Sequence, residues 1–126
     1  MKKAVYIDTN IILRFLVRDI ESQYKEAEGI FEKIEKEEIM GYLSILVVNE
    51  IIWIAENFYE YKRTDYIPFL RKLIALKNIK IVEVKKKIIL EILLKMQSTK
   101  IDFTDLYLLE IAGKDKIVSF DKDLKR

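Results

Sequence analysis

Four acidic residues in this chain stand beside apolar runs that read as core. Asp8 follows Val5-Tyr6-Ile7 and Glu50 follows Ile45-Leu46-Val47-Val48. Asp105 precedes Leu106-Tyr107-Leu108-Leu109, and Asp121 follows Ile117-Val118-Ser119-Phe120. An acid beside a strand or opening a helix is held rigidly, unlike acids scattered among lysines on a solvated face. Several such acids converging at one end of a sheet make a site for a hard divalent cation with oxygen ligands, Mg²⁺ or Mn²⁺. Two carboxylates about 4 Å apart repel by roughly 4 kcal/mol at an effective dielectric near 20. A bound cation turns that repulsion into ligation, whereas helix capping alone gives no reason for convergence.

The missing residue types narrow the chemistry further. With no His and no Cys, a Ser-His-Asp triad, a Cys-His pair and an ordinary His/Cys zinc site are all excluded. The glycines, Gly29, Gly41 and Gly113, are too scattered for a phosphate-binding or dinucleotide-binding loop. Hydrolysis would have to come from carboxylates, hydroxyls and a hard cation. The net charge of +2, from 23 basic and 21 acidic residues, neither demands nor excludes nucleic acid, so any phosphate-binding surface must be local. No apolar run approaches the ~18 residues of a membrane span, and Met1-Lys2-Lys3 followed by a strand-like segment lacks a signal-peptide pattern. The expectation is a cytoplasmic protein with no membrane partner.

The elements that must position the acids follow from periodicity. Ala4 to Asp8 reads as a short buried strand, and Asp8-Thr9-Asn10 offers N-cap residues for a largely apolar helix interrupted by Arg14 and Arg18. A second helix over 21–36 aligns Ile20, Tyr24, Ala27, Phe31 and Ile34, with Glu21–Lys25 and Glu32–Lys36 pairs outside. Ile39 to Ser44 predicts a second strand. The helix after it, over 46–59, buries an arc of Val47, Val48, Ile51, Ile54, Ala55 and Phe58 and keeps Glu50 at the border. Thr64 or Asp65 would cap a fourth helix with Pro68 in its first turn. Ile79 to Val84 predicts a third strand. After it comes a helix through Ile88, Ile92 and Met96, with Lys85-Lys86-Lys87 as its exposed start. Asp102-Phe103-Thr104-Asp105 opens a last helix that Gly113 ends, and Lys116 to Phe120 predicts a fourth strand. Strands alternating with helices imply a single domain over 1–126, of α/β class, with a parallel sheet between helical layers. Ligands in such folds bind at the carboxyl ends of the strands.

Each motif alone has a plainer reading. Asp8-Thr9-Asn10 is an ordinary helix cap, Asp105 a first-turn acid answering the helix dipole, Glu50 a solvated border residue and Asp121-Lys122-Asp123 a polar turn. Their order along the chain changes the weighing. Tyr6-Ile7-Asp8-Thr9-Asn10, Val47-Val48-Asn49-Glu50-Ile51, Asp102-Phe103-Thr104-Asp105-Leu106 and Ser119-Phe120-Asp121-Lys122-Asp123-Leu124 resemble, in sequence order, the motifs of PIN-domain proteins. Size and simplicity make the chain similar to the VapC-like toxin ribonucleases of toxin–antitoxin pairs.

The resemblance implies a three-layer α/β/α fold with a central parallel sheet of about four to five strands. It makes Asp8, Glu50, Asp105 and Asp121 the catalytic quartet that holds Mg²⁺ or Mn²⁺. Asn10 would support the first acid, and Thr9 or Ser119 would supply hydroxyls; Ser119 stands where the family more often has Thr. Asp102 and Asp123 are further acids nearby. Arg14, Arg18, Lys122, Lys125 and Arg126 are candidates to hold an RNA backbone, against the plainer reading of solvated surface charge. The implied activity is metal-dependent hydrolysis of RNA phosphodiesters, and the implied partners are RNA, a second copy in a homodimer and a small antitoxin.

Rivals fit less well. A haloacid-dehalogenase-like phosphatase needs a second Asp two residues after the first, where this chain has Asn10. A receiver-like phosphoacceptor domain needs an acid pair ahead of a later Asp, a spacing not found here. A PIN-like module that binds without cutting, or a housekeeping RNA-processing nuclease, would carry the same fold.

Overall fold

The computed structural model describes residues 3–124; Lys125 and Arg126, two of the candidate RNA contacts, lie outside the described residues. The chain runs β1 (Lys3–Tyr6), α1 (Thr9–Val17), α2 (Glu21–Glu35), β2 (Ile39–Leu43), α3 (Ile45–Asn57), α4 (Arg63–Ile74), β3 (Ile79–Ile81), α5 (Lys86–Ser98) and α6 (Phe103–Ala112), then a 3-10 turn, Lys122–Leu124. The strands form a parallel sheet in the order β1-β2-β3. Tyr6 stands opposite Tyr42, and Tyr42 opposite Lys80. This is a mixed α/β fold, a parallel sheet flanked by helices, consistent with the three-layer arrangement of a PIN-like domain.

Strand alternation decides which sheet face is core. Ile7, Gly41, Leu43, Ile79 and Ile81 are buried on one face, while Ala4, Tyr6 and Lys80 on the other are exposed. Gly41 is required at the crowded centre. A Cβ there would meet the Cδ1 atoms of Ile79 at 2.8 Å and of Ile34 and Ile7 at 2.9 Å. Helix stripes close over this face: Ile12 and Leu13 from α1, Ala27, Phe31 and Ile34 from α2, and Val48, Ile51 and Ala55 from α3 are all buried. Phe15 ties three helices together, with ring centroids 5.4 Å from Tyr24, 5.0 Å from Phe31 and 5.5 Å from Phe69.

Several expectations change. The sheet has three strands among the described residues, not four or five, because 116–120 forms no strand. Val118 and Phe120 are left outside the core, at 91% and 101% exposure. Helix α4 starts at Arg63 after Lys62 at the N-cap, so neither Thr64 nor Asp65 caps it. Asp65 sits at the third helical position and accepts from the Lys62 N–H at 3.3 Å, which moves Pro68 into the second turn. Phe58, expected on the buried arc of α3, is 72% exposed. Arg18, rather than Lys25, pairs with Glu21 at 3.3 Å, while the Glu32–Lys36 pair forms at 2.9 Å. Lys86 is half-buried, and its Nζ donates to the carbonyls of Leu76 at 2.7 Å and Ile79 at 3.1 Å. Burial, followed by nearby Lys80, lowers its pKa. No helix among the described residues is long and apolar enough to cross a membrane.

Candidate nuclease site

The parallel register places the first candidate. Tyr6 and Tyr42 are partners, so Asp8, two residues past Tyr6, and Ser44, two past Tyr42, lie at the same end of the sheet. Asp8 holds the N-cap position of α1, with φ −82° and ψ 158°, yet its side chain makes no capping hydrogen bond. The plainer reading of Asp8 as a cap is therefore not what its carboxylate does. Thr9 is buried and Asn10 is exposed.

Ser44 does cap its helix, its hydroxyl accepting from the Leu46 N–H at 3.1 Å. The same hydroxyl donates to Glu83 Oε2 at 2.5 Å, and Glu83 Oε1 accepts from the Ile45 N–H at 2.9 Å. Glu83, just past β3, thus pins the start of α3 to the sheet end. Burial works to raise the Glu83 pKa, but the hydrogen bonds from Ser44 and Ile45 outweigh it and hold the carboxyl below the usual range. Glu50 lies two turns into this anchored helix and is exposed.

Helix α6 brings the third acid. Asp102 is its N-cap residue, again without a side-chain cap bond. Asp105, in the first turn, is half-buried. What fixes this helix start is Arg63, whose side chain is 18% exposed. Its Nη1 donates to the carbonyls of Met96 at 3.2 Å, Thr99 at 3.0 Å and Ile101 at 2.9 Å. Its Nε donates to Glu56 at 3.2 Å, and its Nη2 lies 3.5 Å from Asp102 Oδ1. The guanidinium caps the C-terminal end of α5, where carbonyls are orphaned and a cation suits the dipole. It also holds the turn that launches α6. Buried Tyr66 donates a very short hydrogen bond to Glu56 behind it. Burial, helped by that carboxylate, pushes the phenol well above its ordinary range.

The fourth acid, Asp121, is exposed and stands between the irregular 116–120 segment and the 3-10 turn, not past a strand. Ser119 Oγ accepts from the Asp121 N–H at 2.9 Å, and Leu124 anchors the turn in a buried position. Asp123 belongs to this turn, but its side chain lies outside the described parts, while Lys122 is exposed. Arg14 is engaged with Asp19 at 2.6 Å. Arg18 pairs with Glu21 and lies 4.1 Å above the Tyr24 ring. Among the described residues no three acids gather into a group that could hold a metal ion. The donor types suit a hard cation, since every candidate offers carboxylate oxygen.

A cavity of about 370 Å³ opens where α3 meets the start of α6, lined by Asn49, Trp53 and Asn57 on one side and Asp102 and Thr104 on the other. Residues 5–126 match the family model of the PIN domain. This chain belongs to the PIN domain family. No curated protein and no solved structure gives a match. PIN domains are generally nucleases that bind RNA and typically use divalent metals, which supports a hydrolase here. In this PIN domain the sequence motifs single out Asp8, Glu50, Asp105 and Asp121 as candidates, and they do not point to Arg63, Glu83 or Trp53. Arg63 gave no signal, because the three carbonyls it holds lie 33 to 38 residues away in the chain.

Proposed function

We propose that this PIN domain is a divalent-metal-dependent ribonuclease of one domain over 1–126, acting in the cytoplasm as the VapC-like toxin of a toxin–antitoxin pair. The observation that carries the reading is the family match over nearly the whole chain, with an acid at every motif position that the resemblance requires. Asp8, Glu50, Asp105 and Asp121 would hold Mg²⁺ or Mn²⁺, supported by Asn10 and by the hydroxyls of Thr9 and Ser119, with Asp102 and Asp123 nearby. A bound cation of this kind neutralises charge on the phosphoryl oxygens and acidifies water. Glu50 or Asp105 orients the attacking water and accepts its proton. The water oxygen attacks phosphorus in line, the bond to the 3′ oxygen breaks, and that oxygen leaves as a hydroxyl with a proton taken from solvent, to which the carboxylate returns the one it accepted. The products carry 5′-phosphate and 3′-hydroxyl ends. Arg14, Arg18 and Lys122 would contact the RNA backbone, the two arginines by exchanging Asp19 and Glu21 for phosphate. A homodimer and a small antitoxin complete the proposal.

A second reading, a module that binds RNA without cutting it, is favoured by one observation: no three acids are gathered among the described residues. A housekeeping RNA-processing nuclease would use the same acids. The deciding experiment incubates purified protein with mixed cellular RNA in Mg²⁺ or Mn²⁺, with and without EDTA, beside an identically prepared Asp105→Asn variant. Cleavage that needs the metal and disappears in the variant is the expected result. Folded protein that neither binds the metal nor cuts would select the non-cutting module.

A further inference from the structure

We propose that the pocket between α3 and the start of α6 receives a nucleobase of single-stranded RNA, stacked on Trp53 and read at its edge by Asn49 and Asn57. The inference rests on the ribonuclease reading and adds to it a site of substrate selection.

Trp53 is 63% exposed, a large flat apolar surface left in water on an anchored helix. Asn49, Trp53 and Asn57 follow at four-residue steps on α3, so their side chains share one stripe. The Asn57 Nδ2 donates to the Trp53 carbonyl at 3.0 Å, which fixes that amide and leaves its oxygen as an acceptor. Asn49 makes no side-chain hydrogen bond to a described residue. The opposite wall brings the Thr104 hydroxyl and the Asp102 carboxylate.

The chemistry of this lining selects among occupants. No Lys or Arg lines the pocket, and the guanidinium behind it is already engaged with Glu56 and backbone carbonyls. A phosphate therefore finds no counter-charge. An apolar helix of a partner, or a second copy docking through Trp53, would bury the Asn49 amide, the Asn57 amide oxygen and the Thr104 hydroxyl without supplying partners for them, at a desolvation cost. A nucleobase brings both things the pocket lacks: a π-face for the indole and an edge of donors and acceptors for the amides, as Asn commonly pairs with adenine. Position supports the same occupant. Asn49 and Thr104 are the chain neighbours of Glu50 and Asp105, so a base seated here lies on the same two helices as two of the proposed acids.

Trp53 is the only tryptophan in the chain, so its emission reports this pocket alone. The experiment uses the 126-residue Asp8→Asn protein in Mg²⁺, a substitution chosen to prevent cleavage, with a random-sequence single-stranded RNA decamer and an abasic oligomer of equal length as probes. The decamer is expected to change Trp53 emission saturably and the abasic oligomer to leave it unchanged. By anisotropy of labelled decamer, Trp53→Ala should weaken binding by about 5- to 150-fold, the range one base stack supplies. Trp53→Phe should recover most of the loss, and circular dichroism should show both variants folded.

Unchanged emission while the decamer binds, an equal response to the abasic oligomer, or an emission change on raising protein concentration without RNA would each overturn the proposal. The last result would assign the surface to a second copy. Undiminished kcat/KM in Trp53→Ala on the wild-type background, with no emission response, overturns the base pocket and leaves the ribonuclease reading standing. An emission response to the decamer with no metal-dependent cleavage does the reverse.

Discussion

At the scale of single residues, two acids of similar placement serve different ends. Asp8 stands at an N-cap without capping, while Glu83 is engaged by Ser44 and the Ile45 N–H. Ser44→Ala removes both a cap and the partner of Glu83, and is expected to cost about 1 kcal/mol of stability, measured by urea unfolding. The Glu83 carboxyl titrates below its unfolded value. Its contribution is therefore fully present above the unfolded carboxylate range and is lost as pH falls through the folded pKa. Glu83→Gln should flatten the acid limb of a stability-against-pH curve below about pH 4.3, the unperturbed Glu value. Asp8→Asn, by contrast, should leave unfolding nearly unchanged while abolishing cleavage. A large loss of stability in that variant would restore the reading of Asp8 as a structural cap.

Among the elements, Arg63 joins α4 to the end of α5 and the start of α6. Its hydrogen bonds to carbonyls and a carboxylate involve a charged donor, and such bonds are worth more than neutral ones. Arg63→Ala should cost about 2–3 kcal/mol in thermal or urea unfolding, and Arg63→Lys should recover only part, since an ammonium cannot reproduce the planar fork. Gly41→Ala probes the sheet centre. The three isoleucine methyls that a new Cβ meets are flexible ends but mutually packed, so an overpacking cost of about 1–2 kcal/mol is expected from chemical denaturation.

The same elements show what the chain's pattern made legible. Every described helix and strand was foretold to within a few residues, because apolar stripes and caps are local signals. Asp8 and Asp105 were legible as candidates for the same reason, since each stands at or near a helix start, whereas Glu50 lies inside α3 and was singled out only by its motif. The failure at 116–120 has a physical cause: Ile117, Val118 and Phe120 carry strand propensity, but a strand exists only when an edge pairs with it. Arg63 was invisible because the carbonyls it holds are remote in sequence.

For the molecule as a whole, charge is nearly balanced at +2, and two of the candidate RNA contacts, Arg14 and Arg18, already have acidic partners. Few counterions would then be released on binding RNA. The expected dependence of log K on log salt is shallow, with a slope of about −1 to −2, as for two or so phosphate contacts to a single strand. Isothermal titrations across a salt series would measure it. A steep slope would mean that further basic residues meet phosphate.

The Arg63 link also orders events while the chain is being made. A polypeptide leaving the ribosome cannot close that link until the carbonyls of Met96, Thr99 and Ile101 have emerged. The sheet and the first helices are complete in sequence well before that point. Asp105 follows later still, so a nascent chain acquires its scaffold first and its full set of acids last. Under the proposed function, the order of synthesis itself would keep the unfinished chain from cutting RNA.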